Sequence, residues 1–303
     1  MLDGAMLVWF VLTGISLVFV IGDSVINGVT SWVQRAAWIL VTVYAGPVGA
    51  FFYLLACRRP FPGGHDRFTA ATWKQGLNSE MHCLAGDATG IIVAASIVPA
   101  LAVSNGWDIT IEYLAGFAFG LFIFQALMMV GMYDGNYFKA VRKTAFAETV
   151  SMNFVMAGMI PTMVLLGAAW EGSEDPLHPT FWFRMSLASI VGGVLAFPIN
   201  YWLVKNRLKH GCMTLPGADG PAPGLGHSSA EAMNMKGMEG MEGMEDMKGK
   251  DPGMDSDSGQ HDMAMKSLPM GESAAWVIGS FTVLLSLLWL THLWVPIRFT
   301  VSG

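Results

Sequence analysis

The chain has 303 residues, 53% of them hydrophobic and only 13% charged, with a net charge of −6. A soluble domain carries roughly 25% charged residues, so half that share beside this much apolar content excludes an ordinary water-soluble globule. No basic stretch interleaved with aromatics occurs, which argues against nucleic acid as a partner.

Seven apolar runs are long enough to cross about 30 Å of hydrocarbon. They fall at about 4–22, 35–56, 78–102, 111–133, 145–169, 181–204 and 274–296. The first, in MLDGAMLVWF, has no basic n-region and no small-residue cleavage site after it, so it reads as a retained span. No ten-residue alternating segments suggest a barrel. The expected fold is all-α: a polytopic helical membrane protein with about seven transmembrane helices and one long disordered loop. Lys and Arg gather in the loops after the second, fourth and sixth spans. The positive-inside bias then predicts a bacterial inner-membrane protein with its N-terminus in the cytoplasm and its C-terminus outside.

The third span opens with NSEMHCLAGDATG, which crowds Glu80, Met81, His82, Cys83 and Asp87 where lipid would penalise them. Ionisable groups inside a span face the protein interior and mark a candidate site. Their place near the predicted start of the span also allows a wet, interfacial cluster. Gly86 and Gly90 form a small-xxx-small pair that lets another helix approach. In the fourth span, Gln125, Met128, Met129 and Met132 lead into Asp134. In the fifth, Glu148, Met152, Met156, Met159 and Met163 form one helical stripe about 22 Å long. A methionine stripe in a span is also ordinary packing. The metal reading draws on depth, since His82 and Cys83, Met128 and Met132, and Glu148 and Met152 all lie toward one leaflet. Adjacent side chains fan out by about 100°, so two of Met81, His82 and Cys83 plus Met152 or Met156 make the reasonable ligand set. Imidazole, thiolate and thioether suit Cu(I).

Between the sixth and seventh spans, about 211–272, a Pro/Gly/Ser run passes into MNMKGMEGMEGMEDMKGKDPGM, which cannot build a core and is expected to be disordered. Met235, Met238, Met241, Met244 and Met247 recur every third residue, with His261 nearby. Thioethers select soft ions such as Cu(I). A passive linker and a partner-binding segment are the other readings of this array.

Only His82 and His292 lie within spans, at opposite ends, which disfavours haem. There is no P-loop and hence no nucleotide site, no G-x-S-x-G elbow and no H-E-x-x-H, so an enzyme is not expected. Three cysteines, Cys57, Cys83 and Cys212, are too few and scattered for a disulfide scaffold.

Three boxes carry a resemblance: WKQGLNSEMHCLAGD at 73–87, AETVSMN at 147–153 and FPINYW at 197–202. Together they resemble a bacterial integral-membrane family catalogued as a domain of unknown function (DUF4396-like), over about residues 72–210. The resemblance implies a four-helix core. By matching positions it implies family roles for His82, Cys83, Gly86, Glu148, Ser151, Pro198 and Asn200. Residues 1–60 would then be two added N-terminal helices, 211–272 an added Met-rich loop resembling copper-handling proteins, and 273–303 a last helix and tail.

The expected function is a Cu(I)-binding inner-membrane protein that gathers, moves or delivers copper. Its partners would be copper ions, membrane lipid, and a copper-dependent membrane enzyme or copper chaperone. Two alternatives stay open: a non-catalytic subunit or assembly factor of a copper-dependent membrane enzyme, and a structural membrane protein without metal.

Overall fold

Each apolar run becomes a helix in the computed structural model, which describes residues 2–27, 32–57, 68–211 and 265–300. The helices are α1 (Leu2–Asn27), α2 (Trp32–Ala56), α3 (Thr72–Ile97, prolonged by a 3-10 turn over Val98–Leu101), α4 (from Asn105), α5 (Tyr137–Ala169), α6 (Pro179–Lys205) and α7 (Met270–His292). The fourth helix is α-helical over Asn105–Ala118, π-helical over Phe119–Gln125 and ends in a 3-10 turn at Val130–Tyr133. All seven are long and apolar enough to cross a membrane. The protein is an all-helical, multi-pass membrane protein.

The second helix does not run straight. At Gly46, φ is 55° and ψ is −135°, with Pro47 next. A Cβ placed on Gly49 would lie 3.0 Å from Thr42 Cα, seven residues back. Trp38 and Tyr53 pack edge to face with centroids 5.7 Å apart, whereas a straight helix would separate them by roughly 22 Å. The segment 32–56 is therefore a helical hairpin whose arms meet side by side. Asn78 of α3 ties both open ends: its amide donates to Ala56 O at 2.9 Å, and its Oδ1 accepts from Trp38 Nε1 at 3.2 Å and Gln34 Nε2 at 3.3 Å. Such irregular backbone is tolerated at depth because it is buried in protein.

The hairpin corrects the expected straight crossing over 35–56. Trp9 packs on Phe183 near the start of α6, and Phe183 stacks on Trp170 just past α5. Asp23, near the end of α1, accepts from Tyr53 in the returning arm at 3.0 Å. Beyond α7, Arg298 O accepts from Gly106 N at 2.8 Å, at the start of α4. The beginning of α1 and the chain beyond α7 thus lie at the same end of the bundle.

Close helix contacts set the core. A Cβ on Gly86 would come within 2.7 Å of Gly120 Cα, and one on Gly90 would collide with Ala115 O, so α3 and α4 meet backbone to backbone as the glycine spacing predicts. A Cβ on Gly158 would lie 2.7 Å from Gly192 Cα, which makes the same kind of seam between α5 and α6. One large apolar cluster joins all seven helices, and a smaller one gathers Val150, Ile199, Leu203 and Leu208 beneath Trp202 and Trp276.

Candidate functional site

α3 begins at Thr72, six residues before the expected start of its span. Gln75, Asn78, Glu80, His82, Cys83 and Asp87 are each no more than 1% exposed. The extra turns carry His82 about 15 Å into the helix. The cluster is buried inside the bundle rather than exposed at its interface.

The π-helical stretch of α4 aims three residues at this face. Gly120 leaves room for α3, the Phe124 ring meets the His82 ring edge to face at 5.9 Å, and Gln125 Oε1 lies 3.7 Å from Cys83 Sγ. A π turn is wider than an α turn and bonds residue i to i+5, which brings Gly120 and Gln125 toward one side. His82 is flanked by the Phe124 backbone and the Gln125 side chain, so Gln125 borders both His82 and Cys83.

From α5, Glu148 completes the centre. The Cys83 thiol donates to Glu148 Oε2 at 2.9 Å. A Cβ on Gly120 would stand 2.7 Å from Glu148 Oε1 and collide with Asp87 Oδ1, which places the two carboxylates on either side of one point. Among the described residues, both oxygens of Asp87, both of Glu80, Glu148 Oε1 and His82 Nε2 have no hydrogen-bond partner.

The cation that balances these acids comes from beyond α6. Arg207 adopts a left-handed φ of 59°, and the N–H groups of Leu208 and Lys209 return to Leu203 O at 2.9 and 3.3 Å. This left-handed helix stop turns the chain back on itself. The Lys209 side chain, fully buried, then enters the bundle. Its Nζ donates to Asn200 Oδ1 at 2.6 Å and Ser151 Oγ at 3.0 Å, and lies 3.9 Å from Glu148 Oε2. Burial pushes the ammonium pKa down, but the Cys83 sulfur and the Glu148 and Asp87 carboxylates facing it outweigh that, and the pKa ends above its ordinary value. Ser151 and Asn200 also bond each other at 2.9 Å.

Sequence reasoning counted Lys209 as a loop cation, and only its place just past the FPINYW box hinted otherwise. It also passed over a second ionic group at the opposite end. There the buried Glu112 of α4 lies in the field of Asp108, Arg184 of α6 and Glu174. Arg184 Nε and Asp108 Oδ1 have no hydrogen-bond partner among the described residues.

The methionines are placed as follows. Met81, Met152, Met156 and Met159 are buried in the large apolar cluster, with Met128 packed against it from a half-buried position. Met132 is half-buried at the end of α4. Met156 Cε fills the space beside Gly116 of α4, whereas Met159 Cγ fills that beside Gly192 of α6. The stripe therefore packs against two different neighbours. No group of three or more His, Cys, Asp or Glu side chains among the described residues is arranged to hold a metal ion. Met235, Met238, Met241, Met244, Met247 and His261 lie outside the described residues.

No curated protein and no solved structure matches this chain. Residues 72–209 match the family described as Domain of unknown function (DUF4396). That match runs from the first turn of α3 to Lys209, the last residue of the buried network. The stretch built by α3–α6 is where the chain is similar to the DUF4396 family, as its three boxes had indicated.

Proposed function

We propose that the protein binds Cu(I) in the bacterial inner membrane and moves or delivers it, with Cys83 and His82 as the station inside the bundle. The carrying observation is an unspent donor: His82 Nε2 is buried without a hydrogen-bond partner among the described residues, next to a fully buried thiol. An imidazole nitrogen and a sulfur are donors suited to Cu(I), and Met152 or Met156 offers a third from α5. Copper is the cargo here. Its binding to the Cys83 sulfur requires the thiol proton to leave, and Glu148 Oε2 at 2.9 Å is placed to take it. One S–H bond is exchanged for one O–H bond, and no electron moves.

The methionines at 235–247 would collect the ion and raise its concentration beside the bundle. Arg35, Lys74, Lys139, Arg142, Lys143 and Lys205 belong to the end where α3 begins and α6 finishes. The positive-inside rule assigns that end to the cytoplasm, with the start of α1 and the chain beyond α7 outside.

The test is copper per chain after anaerobic Cu(I) loading and desalting, on the intact protein, on one lacking 231–270, and on His82→Ala/Cys83→Ala. About one copper kept by the deletion and lost by the double variant supports the station. Bundle forms that bind no copper above background overturn it. Uptake into sealed vesicles by the protein alone separates movement from delivery to a partner.

A further inference from the structure

Lys139, Arg142 and Lys143 at the start of α5, with Lys266 ahead of α7, line one cleft of about 750 Å³. Among the described residues, no acidic side chain lines it. The three α5 cations are exposed within its first two turns, and Asn136 caps that helix by accepting from Lys139 N at 2.9 Å. The positive end of a 33-residue helix therefore adds to the same field. Lys266 N donates to Arg207 O at 2.9 Å, which fastens the segment before α7 to the end of α6 and walls the cleft on that side. The floor is apolar: Phe146, Leu208 and Leu268 line it and belong to the smaller apolar cluster. Phe138, 82% exposed, stands at the rim.

We infer that this cleft binds the headgroup of an anionic phospholipid from the surrounding leaflet. The phosphate would sit among the four cations, and the glycerol and upper acyl carbons would lie along the Phe146–Leu268 floor. Basic pockets between membrane helices hold such headgroups by this division of charge and apolar wall. Free phosphate shares the charge complementarity but leaves the floor and Phe138 unused. The acid-bearing Met-rich segment of this chain is the other source of negative charge, and the lipid is favoured because the cleft is half apolar.

The experiment is native mass spectrometry of the full chain in detergent, with dioleoylphosphatidylglycerol, dioleoylphosphatidylcholine or inorganic phosphate. It compares the wild type with Lys139→Gln/Arg142→Gln/Lys143→Gln and with a chain lacking 231–264. One phosphatidylglycerol should stay on the wild type and on the deletion. Binding to the triple variant should weaken on the order of a hundredfold. These side chains are exposed, so the lipid-free unfolding midpoint should not move. If it does, Lys143→Gln alone should still weaken binding several-fold. Equal retention of phosphatidylcholine, displacement by inorganic phosphate, full binding by the triple variant, or binding only after 231–264 is removed would each overturn the proposal. The last result would identify the chain's own segment as the occupant.

Discussion

Cys83 on α3 and Glu148 on α5 meet at 2.9 Å across a space that α4 keeps open only by having no side chain at Gly120. Gly120→Ala would drive a methyl against Glu148 Oε1 and Asp87 Oδ1 together. Both contacts are ends of side chains, but both side chains are fully buried among packed helices, which limits how far they can swing aside. Overpacking of this kind costs about 1–3 kcal/mol. The thermal midpoint should fall and copper per chain should drop with it. An unchanged midpoint would mean that the two acids have room to part.

Lys209 offers a sharper energetic test. Lys209→Met leaves Glu148, Asn200 Oδ1 and Ser151 facing an apolar tip, and breaking a buried charge pair from one side costs about 3–5 kcal/mol. Glu148→Gln added to Lys209→Met should recover a large part of that loss, because the carboxylate paired with Lys209 is then gone. Unfolding midpoints of the two single variants and the double variant close the cycle. Simple additivity would deny that the pair acts as a unit.

The hairpin predicts a labelling pattern. In a background with Cys57, Cys83 and Cys212 replaced by Ser, Asp3→Cys and Trp294→Cys should react with an impermeant maleimide from the same side of sealed vesicles. Lys139→Cys should react from the other side. Opposite labelling of positions 3 and 294 would mean that 32–56 crosses straight.

His210 sets a pH dependence outside the spans. Burial lowers its pKa from 6.5 to about 4. Between those values the unfolded chain holds a proton that the folded chain refuses. Stability should therefore fall as the pH drops from about 6.5 to about 4, and His210 adds no further slope below that. The ring keeps some exposure, so the loss is about 3 kcal/mol at most. His210→Gln should flatten this part of the profile when midpoints are compared at pH 7.5 and pH 5. A variant with the wild-type slope would show that the dependence does not come from His210.

Helix number and class were legible because twenty apolar residues in a row have few other uses. The three boxes pointed to the residues that meet, since Cys83, Glu148, Ser151 and Asn200 all join one network. Hydropathy records how much apolar chain there is, not the path it takes, so 35–56 read as a span although Gly46-Pro47 marks the bend. The start of α3 was placed too late because Lys74 and Gln75 look like loop residues; in the bundle Gln75 is buried and hydrogen-bonded to protein. Lys209 was hidden for a related reason. Its side chain points inward because of the backbone at Arg207, and nothing in residue type announces a left-handed turn there.

A fold whose second helix turns back on itself has an unusual dependence on one dihedral. Each later helix enters the bilayer from the face on which α2 leaves it. Were Gly46 to take ordinary helical angles, 32–56 would become one more crossing, and either the start of α1 or everything beyond residue 56 would exchange compartments. The parity of the whole chain, and so the side from which each cleft is reached, rests on a glycine held at φ 55°.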